Sequence, residues 1–492
     1  MKLAAVLALT FGGGCSLLYN PDNIPAPKPD GSPDAKPPDL EVIPDVDPTK
    51  LRLDGVQPST LVEGTGDGDG WATIVAISGA NIASDTTFAI TAYDGASDIT
   101  PLVVDMANAN ISAEHDRITV PVKFLVDPTR DKSVMPVRLQ ITAMNAGTTA
   151  MLPDTASFEL KFLDELTDAS PEYAQHALAS GVHEYSRVAI TGGLTASDRN
   201  GPLIVRAHAT IEIAGLVAVD AMGQTAGAGG FAGGAGGPLT VLGTSPGSMG
   251  LGPGGGLTAG GGGGFGSPGG GASGGAVAGS ATLYTLDAPN RGSGGAGGDG
   301  STLAVGGAGG GGGGTIELTA GGQVTIADVS AKGGDGSAGA VTTGGGGSGG
   351  AILVRGRSVT AGNVTAPGGA PNGGAGRIRI DSASTTNPAT TPAAFRGPML
   401  DHDTPQILHT DRPELTIRAE KNKPFNVFIA NDAGTMTRTI RLTAGTQGVL
   451  LFQPELNQGL YPGRNTFCLI VDEGDASSPS EAQNCLDLVY VP

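Results

Sequence analysis

Aromatic residues, cysteines and charges are scarce in this chain of 492 residues. Tryptophan occurs once, aromatic residues make up 4% of the sequence and charged residues 15%. The 47 acidic residues outnumber the 28 Lys and Arg, which gives a formal charge of −19. No cluster of Lys and Arg is interleaved with aromatic residues, so a polyphosphate would be repelled by this surface. The composition therefore argues against a nucleic-acid partner.

The sequence also has little from which a metal or catalytic site could be built. The three cysteines include no CxxC pair and lie near no cluster of histidines, so we expect no metal site and no cofactor. His183 and Glu184 begin like a zinc-protease motif, but Arg187 stands where the second histidine belongs. The GxSxG matches at 271–275 and 346–350 are embedded in glycine and lack the context of a nucleophile elbow. We therefore expect no catalytic residues and no enzyme.

Two acidic, glycine-rich segments match calcium loops only in part. Gly294–Asp299 fits the start of the RTX calcium nonapeptide, but Ser301 replaces the inward-facing apolar residue. A lone copy also cannot share ligands between successive turns. Asp67 and Asp69 could contribute to a calcium loop or form the solvated tip of an acidic hairpin. The hairpin tip is the preferred interpretation, and calcium binding at this pair stays open.

The N-terminal residues predict an export signal. Lys2 is followed by a short apolar stretch, Leu3–Phe11, and then by glycines that precede Cys15. This stretch is too short to span a bilayer as a stable helix, which favours a cleaved signal over 1–14. The small residues before Cys15 resemble the lipobox of bacterial lipoproteins, although Gly12 stands where that motif has Leu. The resemblance implies lipidation of Cys15 and a lipid anchor in the outer membrane; a plain secretory signal is the alternative.

Two cysteines remain for a disulfide if Cys15 carries lipid. Cys468 and Cys485 lie in strand-like segments that are joined by a polar connection. An exported protein is in an oxidising compartment, where such a pair can be oxidised. We therefore predict a cross-strand disulfide; two free buried thiols are the alternative.

Composition divides the first part of the chain into a tether and a β-rich domain. Proline and aspartate dominate 15–50, which disfavours a packed core and predicts an extended tether. Short alternating runs over 51–165, separated by Gly, Asp and Pro turns, predict a β-sandwich. Its opening, from Val56 to Asn81, resembles the start of IPT/TIG domains, in which a Pro-Ser turn precedes a strand ending in Gly-x-Asn. That resemblance implies an immunoglobulin-like fold.

Glycine is the residue in excess, and most of the 84 glycines lie within 221–376. No period of three runs through them, which excludes collagen. Between the glycines one layout repeats from Gly201, Gly314 and Gly350: an Ile/Val/Leu strand, a short turn and a second strand. One copy cannot bury its own apolar face, whereas stacked copies build a continuous core. The repeat therefore predicts a parallel β-solenoid over 181–385.

The same layout predicts a buried column along the solenoid. The residues expected to stack, one from each copy, are Ile204, Ile316, Ile352 and Ile378. The layout resembles that of glycine-rich β-helical surface proteins of Gram-negative bacteria, which implies a right-handed parallel β-helix.

The glycine tracts between the copies allow two structures. The tracts are 223–282, 291–314 and 333–350. They either form disordered loops or pack as polyglycine strands against the solenoid, because glycine has no side chain to fill a core and a large ordering entropy. As loops they would tolerate deletion of Gly306–Gly313 with almost no loss of stability, since loop closure depends only weakly on length.

The end of the chain is again β-rich. A Thr/Pro/Ala linker over 386–404 is followed by alternating segments over 405–492, which predict a second immunoglobulin-like sandwich. The expected fold is therefore all-β, a glycine-rich right-handed β-helix flanked by two immunoglobulin-like sandwiches. These features predict a non-enzymatic envelope lipoprotein with a structural or adhesive role, which is attached to the membrane by lipid and has a glycan or protein ligand at the cell surface.

An enzyme on the β-helix, a polysaccharide lyase or glycosidase, is the alternative function. Such chemistry needs paired carboxylates or basic groups in a cleft. The charged residues of the repeats are scattered over strand faces rather than placed at equivalent positions; they are Glu212, Glu317, Asp328 and Arg355. Aromatic residues for stacking on sugars are scarce in the same region.

Overall fold

The computed structural model describes residues 50–490 with gaps, the longest of which are 63–70, 125–136, 278–291 and 472–483. The signal, the tether apart from Lys50, Cys15 and the pair Asp67 and Asp69 lie outside the described residues. Almost all of the described secondary structure is β-strand, with one 3₁₀ turn at Pro171–Tyr173. In the part of the chain that is described, no helix is long and apolar enough to cross a membrane. The all-β class expected from the sequence is confirmed.

Residues 52–161 form two sheets of short strands. The strands are β1 (Arg52–Gln57), β2 (Thr60–Val62), β3 (Trp71–Ala80), β4 (Thr87–Asp94), β5 (Ser97–Asp98), β6 (Val103–Met106), β7 (Asn110–Ile111), β8 (Arg117–Phe124), β9 (Val137–Asn145), β10 (Thr148–Met151) and β11 (Glu159–Lys161). One sheet has the order β1-β3-β8-β6, with β7 also on β8; the other is β2-β11-β9-β4-β5, with β10 on β9. Strands β2 and β11 are parallel. Val75 and Ile77 are fully buried whereas Ser78 is exposed, as alternation predicts.

Residues 165–391 form two parallel sheets around one core. The strands are β12 (Glu165–Thr167), β13 (Ala177–Leu178), β14 (Gly181–Tyr185), β15 (Arg187–Ile190), β16 (Leu194–Ala196), β17 (Leu203–Ala207), β18 (Ile211–Ala218), β19 (Thr244–Ser245), β20 (Gly300–Ser301), β21 (Thr315–Ala320), β22 (Gln323–Ser330), β23 (Ala351–Gly356), β24 (Ser358–Thr365), β25 (Arg377–Ser382) and β26 (Ala389–Thr391). The first parallel sheet is β14-β17-β21-β23-β25, and the second is β12-β15-β18-β22-β24-β26, with β13 and β16 beside it. Apolar side chains of both sheets form one buried cluster. Strand β26 lies within the expected linker and extends the second parallel sheet.

The column of isoleucines is present with one correction. Backbone pairing aligns Ile316 with Ile352, and Ile352 with Ile378, and all three are fully buried. Ile204 is aligned with Glu317 instead, because β17 enters the sheet one residue earlier and places Leu203 in the column. The prediction is wrong at this position since the run Leu203–Val205 is apolar at every residue. Such a run has no period-2 alternation with which to fix the register.

The glycine tracts are ordered, in a bundle of extended segments. These segments, together called the glycine bundle, are 226–237, 246–256, 260–264, 292–300, 306–314, 331–337, 343–350 and 366–376. Hydrogen bonds between neighbouring segments recur every third residue. Gly234 donates its N–H to the carbonyl of Gly295 at 2.9 Å, and Gly237 donates to Gly298 at 2.8 Å. The disordered alternative is therefore wrong for the described tracts.

Each segment of the bundle bonds to more than one neighbour. The carbonyl of Gly234 accepts from Gly309 at 2.7 Å, and that of Gly237 accepts from Gly306 at 2.9 Å. The donors of these two bonds lie in segment 306–314, whereas Gly234 and Gly237 donate their own N–H groups to segment 292–300. A spacing of three, with most bonds made to several neighbouring segments, is typical of polyproline-II geometry.

Glycine is required where the segments touch. A Cβ on Gly309 would overlap the carbonyl oxygen of Gly295, and one on Gly306 would overlap that of Gly298. The segment Gly306–Gly313 is mostly buried and bonded to its neighbours. The expectation that its deletion would be nearly neutral is therefore wrong, because these residues are packed structure rather than a loop.

Residues 399–490 form two further sheets. The strands are β27 (Met399–Leu400), β28 (Ile407–Leu408), β29 (Leu415–Arg418), β30 (Pro424–Asn431), β31 (Thr437–Thr443), β32 (Val449–Phe452), β33 (Gly463–Val471) and β34 (Asn484–Tyr490). One sheet is β27-β29-β32 and the other is β28-β34-β33-β30-β31. Buried side chains of both, including Phe425 and Phe467, form a separate core. Cys468 on β33 lies opposite Cys485 on β34, and the two are joined by a disulfide.

Candidate functional site

Three turns of the glycine bundle meet at one end of it. They span 238–245, 301–305 and 338–342 and are together called the apolar tip. Strand β19 in the first turn pairs with β20 at the start of the second. Gly307, which follows the second turn, donates its N–H to Thr342 in the third at 3.0 Å. Segments 306–314 and 343–350 lead from these turns back into β21 and β23, so the apolar tip and the parallel sheets lie at opposite ends of these segments.

Bulky apolar side chains of the apolar tip are open to solvent. Val241, Leu303 and Leu242 are 94%, 92% and 87% exposed. Leu239, Val305 and Val341 are exposed as well. None of the residues in the three turns is charged or aromatic. Exposed apolar side chains that lie in neighbouring turns mark a candidate site of interaction, because their burial against a partner removes apolar surface from water.

Hydrogen bonds hold the turns of the apolar tip in place. Ser245 donates its hydroxyl to the carbonyl of Pro238 at 2.6 Å, which closes the first turn. The carboxylate of Asp299 accepts from the N–H of Gly247 at 3.1 Å, and the Asp299 carbonyl accepts from the hydroxyl of Thr342 at 2.9 Å. Asp299, which the sequence places in a partial calcium motif, therefore links the segment that follows the first turn to the third turn. The apolar side chains therefore extend from turns that hydrogen bonds hold in place.

The motifs that look catalytic in the sequence have structural partners. Ser348, within the second GxSxG match, is fully buried and its hydroxyl accepts from the N–H of Ser293 at 2.8 Å. His183 lies on β14, with its ring nitrogen 2.8 Å from the carbonyl of Ala179. Among the described residues, no three His, Cys, Asp or Glu side chains come together as a metal site.

The four charged residues considered for an enzyme divide between the two parallel sheets. Glu212 on β18 pairs with Arg187 at 3.0 Å and is exposed. Asp328 on β22 accepts from the backbone N–H of Asn363 at 2.7 Å. Glu317 and Arg355 lie on the first parallel sheet, in adjacent columns of one face. The sequence pattern predicted that Glu317 and Arg355 are scattered, whereas the structure places both on the same face of this sheet.

That face carries a buried network of alternating charges. Glu317 is 2% exposed and pairs with Arg206 at 2.9 Å. Arg379 and Asp381 are fully buried and pair at 2.7 Å, and Arg355 is 3.3 Å from the same carboxylate. Burial raises the pKa of Asp381, but the charges of the two arginines and hydrogen bonds outweigh it, and the pKa lies below its ordinary value. The carboxylate of Asp381 is therefore ionised and paired.

Sequence reasoning missed the apolar tip. Val241, Leu242 and Leu303 stand in short segments between glycines, where they follow neither the period of a strand nor that of a helix. The available signal was the run of uncharged apolar residues inside a region otherwise made of glycine and small residues. Its exposure depends on where the turns fall, and that depends on the packing of the bundle.

Comparison of the chain with protein-family models gives no match, and comparison with curated proteins gives none either.

Proposed function

We propose that this chain is a non-enzymatic lipoprotein of the outer membrane, anchored through Cys15, whose apolar tip binds a protein partner at the cell surface. The observation that carries the adhesive role is the set of exposed apolar side chains at the apolar tip, three of them at least 87% exposed. Their burial against a partner would release free energy at about 25 cal/mol per Å² of apolar surface. The ordered bundle beneath them limits the entropy lost on binding.

We also propose that the flanking domains are immunoglobulin-like. The order β1-β3-β8-β6 beside β2-β11-β9-β4-β5 corresponds to strands A-B-E-D beside A′-G-F-C-C′ of an immunoglobulin sandwich. The C-terminal sheets, β27-β29-β32 and β28-β34-β33-β30-β31, have the same order without the fourth strand of the first sheet. In both domains one short strand pairs in parallel at the edge, β2 with β11 and β28 with β34.

The solenoid is proposed to be a right-handed parallel β-helix. Each coil adds one strand to each parallel sheet in register, as in the pairs β21 with β23 and β22 with β24. Crossover connections between parallel strands of one sheet are right-handed in nearly all proteins, which supports the handedness. The glycine bundle supplies the connection from the second parallel sheet back to the first.

The chemistry of the apolar tip favours a protein partner over a glycan or a lipid surface. Glycan sites commonly use aromatic side chains, whose flat apolar faces stack on sugar rings, and the three turns contain none. Side chains at a lipid interface are typically Trp, Tyr, Lys and Arg, which are also absent from these turns. Leu and Val without charge suit the desolvated centre of a protein interface.

Binding to immobilised envelope components tests the adhesive role. The full chain should bind beads coated with detergent-extracted envelope proteins, and the triple variant Val241→Ser, Leu242→Ser, Leu303→Ser should lose roughly tenfold or more of that binding. The matched control is Met249→Ser with Leu251→Ser, which changes exposed apolar residues on the flank of the bundle. Equal binding by the triple variant and the control would contradict the proposal, as would binding to phospholipid or polysaccharide beads instead of protein beads.

Fractionation tests the anchor. Wild type should be recovered with the outer membrane, and Cys15→Ala should be released to a soluble fraction because an acylated cysteine is the attachment point. Recovery of the wild type in the soluble fraction would show that the anchor is absent. Ser16→Ala, next to the acylated position, serves as the control and should stay with the membrane.

A further inference from the structure

A cavity of about 500 Å³ lies where the last coil of the solenoid meets the C-terminal domain. Ile380, Ala394 and Phe395, from the end of the solenoid, form an apolar wall. The N–H of Ile380 donates to the carbonyl of Phe395 at 2.9 Å, so the backbone on this side is fixed to β25. Ligand sites commonly have volumes of about 300–1,000 Å³, which places this cavity within their range.

Another part of the cavity wall is cationic. Arg396, Arg418 and Lys421 line it together with a single carboxylate, Glu420. Three cations and one anion leave this wall with two net positive charges, in a chain whose formal charge is −19. A local excess of cations on a strongly acidic protein focuses a positive potential inside the cavity. That potential selects for an anion.

The segments that carry Arg396 and Glu420 are held together before any ligand arrives. The N–H of Arg396 donates to the carboxylate of Glu420 at 3.0 Å, and the N–H of Glu420 donates to the carbonyl of Arg396 at 3.0 Å. Ala419 donates its N–H to Gly448 at 3.0 Å on the same side. These backbone contacts fix the positions from which the charged side chains extend. A preformed site costs less ordering on binding than a flexible one.

The positive charges of Arg396 and Arg418 in the cavity repel each other. Burial lowers the pKa of Arg396, and the positive charge of Arg418 lowers it further, while Glu420 and Asp381 raise it by less. An anion between the two guanidinium groups would relieve this repulsion and form charge-assisted hydrogen bonds, which are stronger than neutral ones. The geometry and the charge therefore favour the same class of occupant.

We propose that this cavity binds a small hydroxylated oxyanion, such as a sugar acid or a sugar phosphate. The arginines and Lys421 would hold the carboxylate or phosphate, the groups that guanidinium recognises best. Glu420 and Gln447 would take the hydroxyls, because a carboxylate accepts hydrogen bonds and an amide both accepts and donates. The apolar wall with Phe395 would cover the C–H face of the ring. This site is separate from the apolar tip and does not depend on the adhesive role.

Calorimetric titration of the full chain with glucuronate, glucose 6-phosphate and glucose tests the proposal. At least one of the two anions should bind, and glucose should bind roughly tenfold or more weakly, because it lacks the charged group. The relative affinities of glucuronate and glucose 6-phosphate identify the carboxylate or the phosphate as the preferred group. Arg418→Gln and Lys421→Gln should each weaken binding of that anion, the arginine variant by roughly tenfold or more.

The matched control for these variants is Lys423→Gln. Lys423 is exposed, lies two residues from Lys421 and does not line the cavity. The substitution Lys423→Gln removes the same charge from the chain and should leave the affinity for the anion unchanged. If Arg418→Gln fails to fold, Lys421→Gln decides the question, since Lys421 is exposed. Failure of both anions to bind, equal binding of glucose, or equal loss with Lys423→Gln would each overturn the proposal.

Discussion

At the scale of the residue, a glycine of the bundle is surrounded by backbone rather than by side chains. Gly309 donates its N–H to Gly234 at 2.7 Å, and a Cβ added to it would overlap the carbonyl oxygen of Gly295. A side chain can rotate away from a new methyl group, but a hydrogen-bonded backbone segment has to move as a whole. The absence of a side chain is therefore a packing requirement at this position.

Replacement of Gly309 by alanine should lower the free energy of unfolding by about 1–3 kcal/mol, the usual cost of overpacking. Gly445→Ala is the matched control, since a Cβ there meets no atom within 4 Å. We expect its effect to lie within about 0.5 kcal/mol of wild type, as for most surface substitutions. Urea denaturation of both variants gives the comparison, and equal effects would contradict the packing described here.

At the scale of the element, two kinds of extended chain alternate over residues 203–382. The strands bury side chains, as Ile316 and Ile352 do in their common column. The glycine segments have no side chains to bury and are held by backbone hydrogen bonds to several neighbours. Buried N–H and C=O groups must be paired in either case, and both kinds of element satisfy that condition.

Elements with side chains could be predicted from the sequence, and those without them could not. The register of Ile316, Ile352 and Ile378 was predicted correctly because each lies two residues after a glycine, at the start of its strand. Leu203 and Ile204 are both apolar, so the pattern allowed two registers and the structure has the other one. Polyglycine has the same local sequence whether it is packed or disordered, so only the three-dimensional neighbours decide its state.

Deletion of Gly306–Gly313 and the substitution Ile316→Asp should both unfold the two parallel sheets. The deletion removes the donors to Gly234 and Gly237 and leaves their buried carbonyls unpaired. The substitution buries a carboxylate in the apolar column and should cost several kcal/mol, about the total stability of a marginal domain. Thermal unfolding is the measurement. Val341→Asp, which adds the same charge at an exposed position of the apolar tip, should change little; a stable deletion variant would contradict the bundle.

At the scale of the whole molecule, Asp381 connects β25, the last strand of the first parallel sheet, with the domain formed by residues 399–490. Its carboxylate accepts from Arg379 at 2.7 Å and from the side-chain amide of Asn484 on β34 at 3.0 Å. The N–H of Gly397 donates to it at 2.9 Å. The two domains therefore share one buried ionic group, and its loss should affect both.

The ionised state of Asp381 stabilises the fold above its ordinary pKa. Burial raises the pKa of this carboxyl, but Arg379, Arg355 and its hydrogen bonds bring it below the ordinary value of 3.8. A folded-state pKa below the unfolded one means that the stabilisation is present above pH 3.8 and is lost as the pH falls through the folded value. Acid should therefore weaken the contact between the first parallel sheet and the C-terminal domain.

Replacement of Asp381 by alanine should separate the unfolding of these two domains. Arg355 and Arg379 would then be buried without their counter-charge, which costs about 3–5 kcal/mol when one partner of a buried pair is removed. Differential scanning calorimetry of the variant at neutral pH should show the C-terminal domain unfolding in its own transition, below that of the wild type. Glu212→Ala is the control: its ion pair with Arg187 is exposed, so its loss should cost at most about 1 kcal/mol. If Asp381→Ala instead unfolds in the same transition as wild type, with no loss of midpoint temperature, then Asp381 does not couple the two domains, and their contact depends on apolar packing alone.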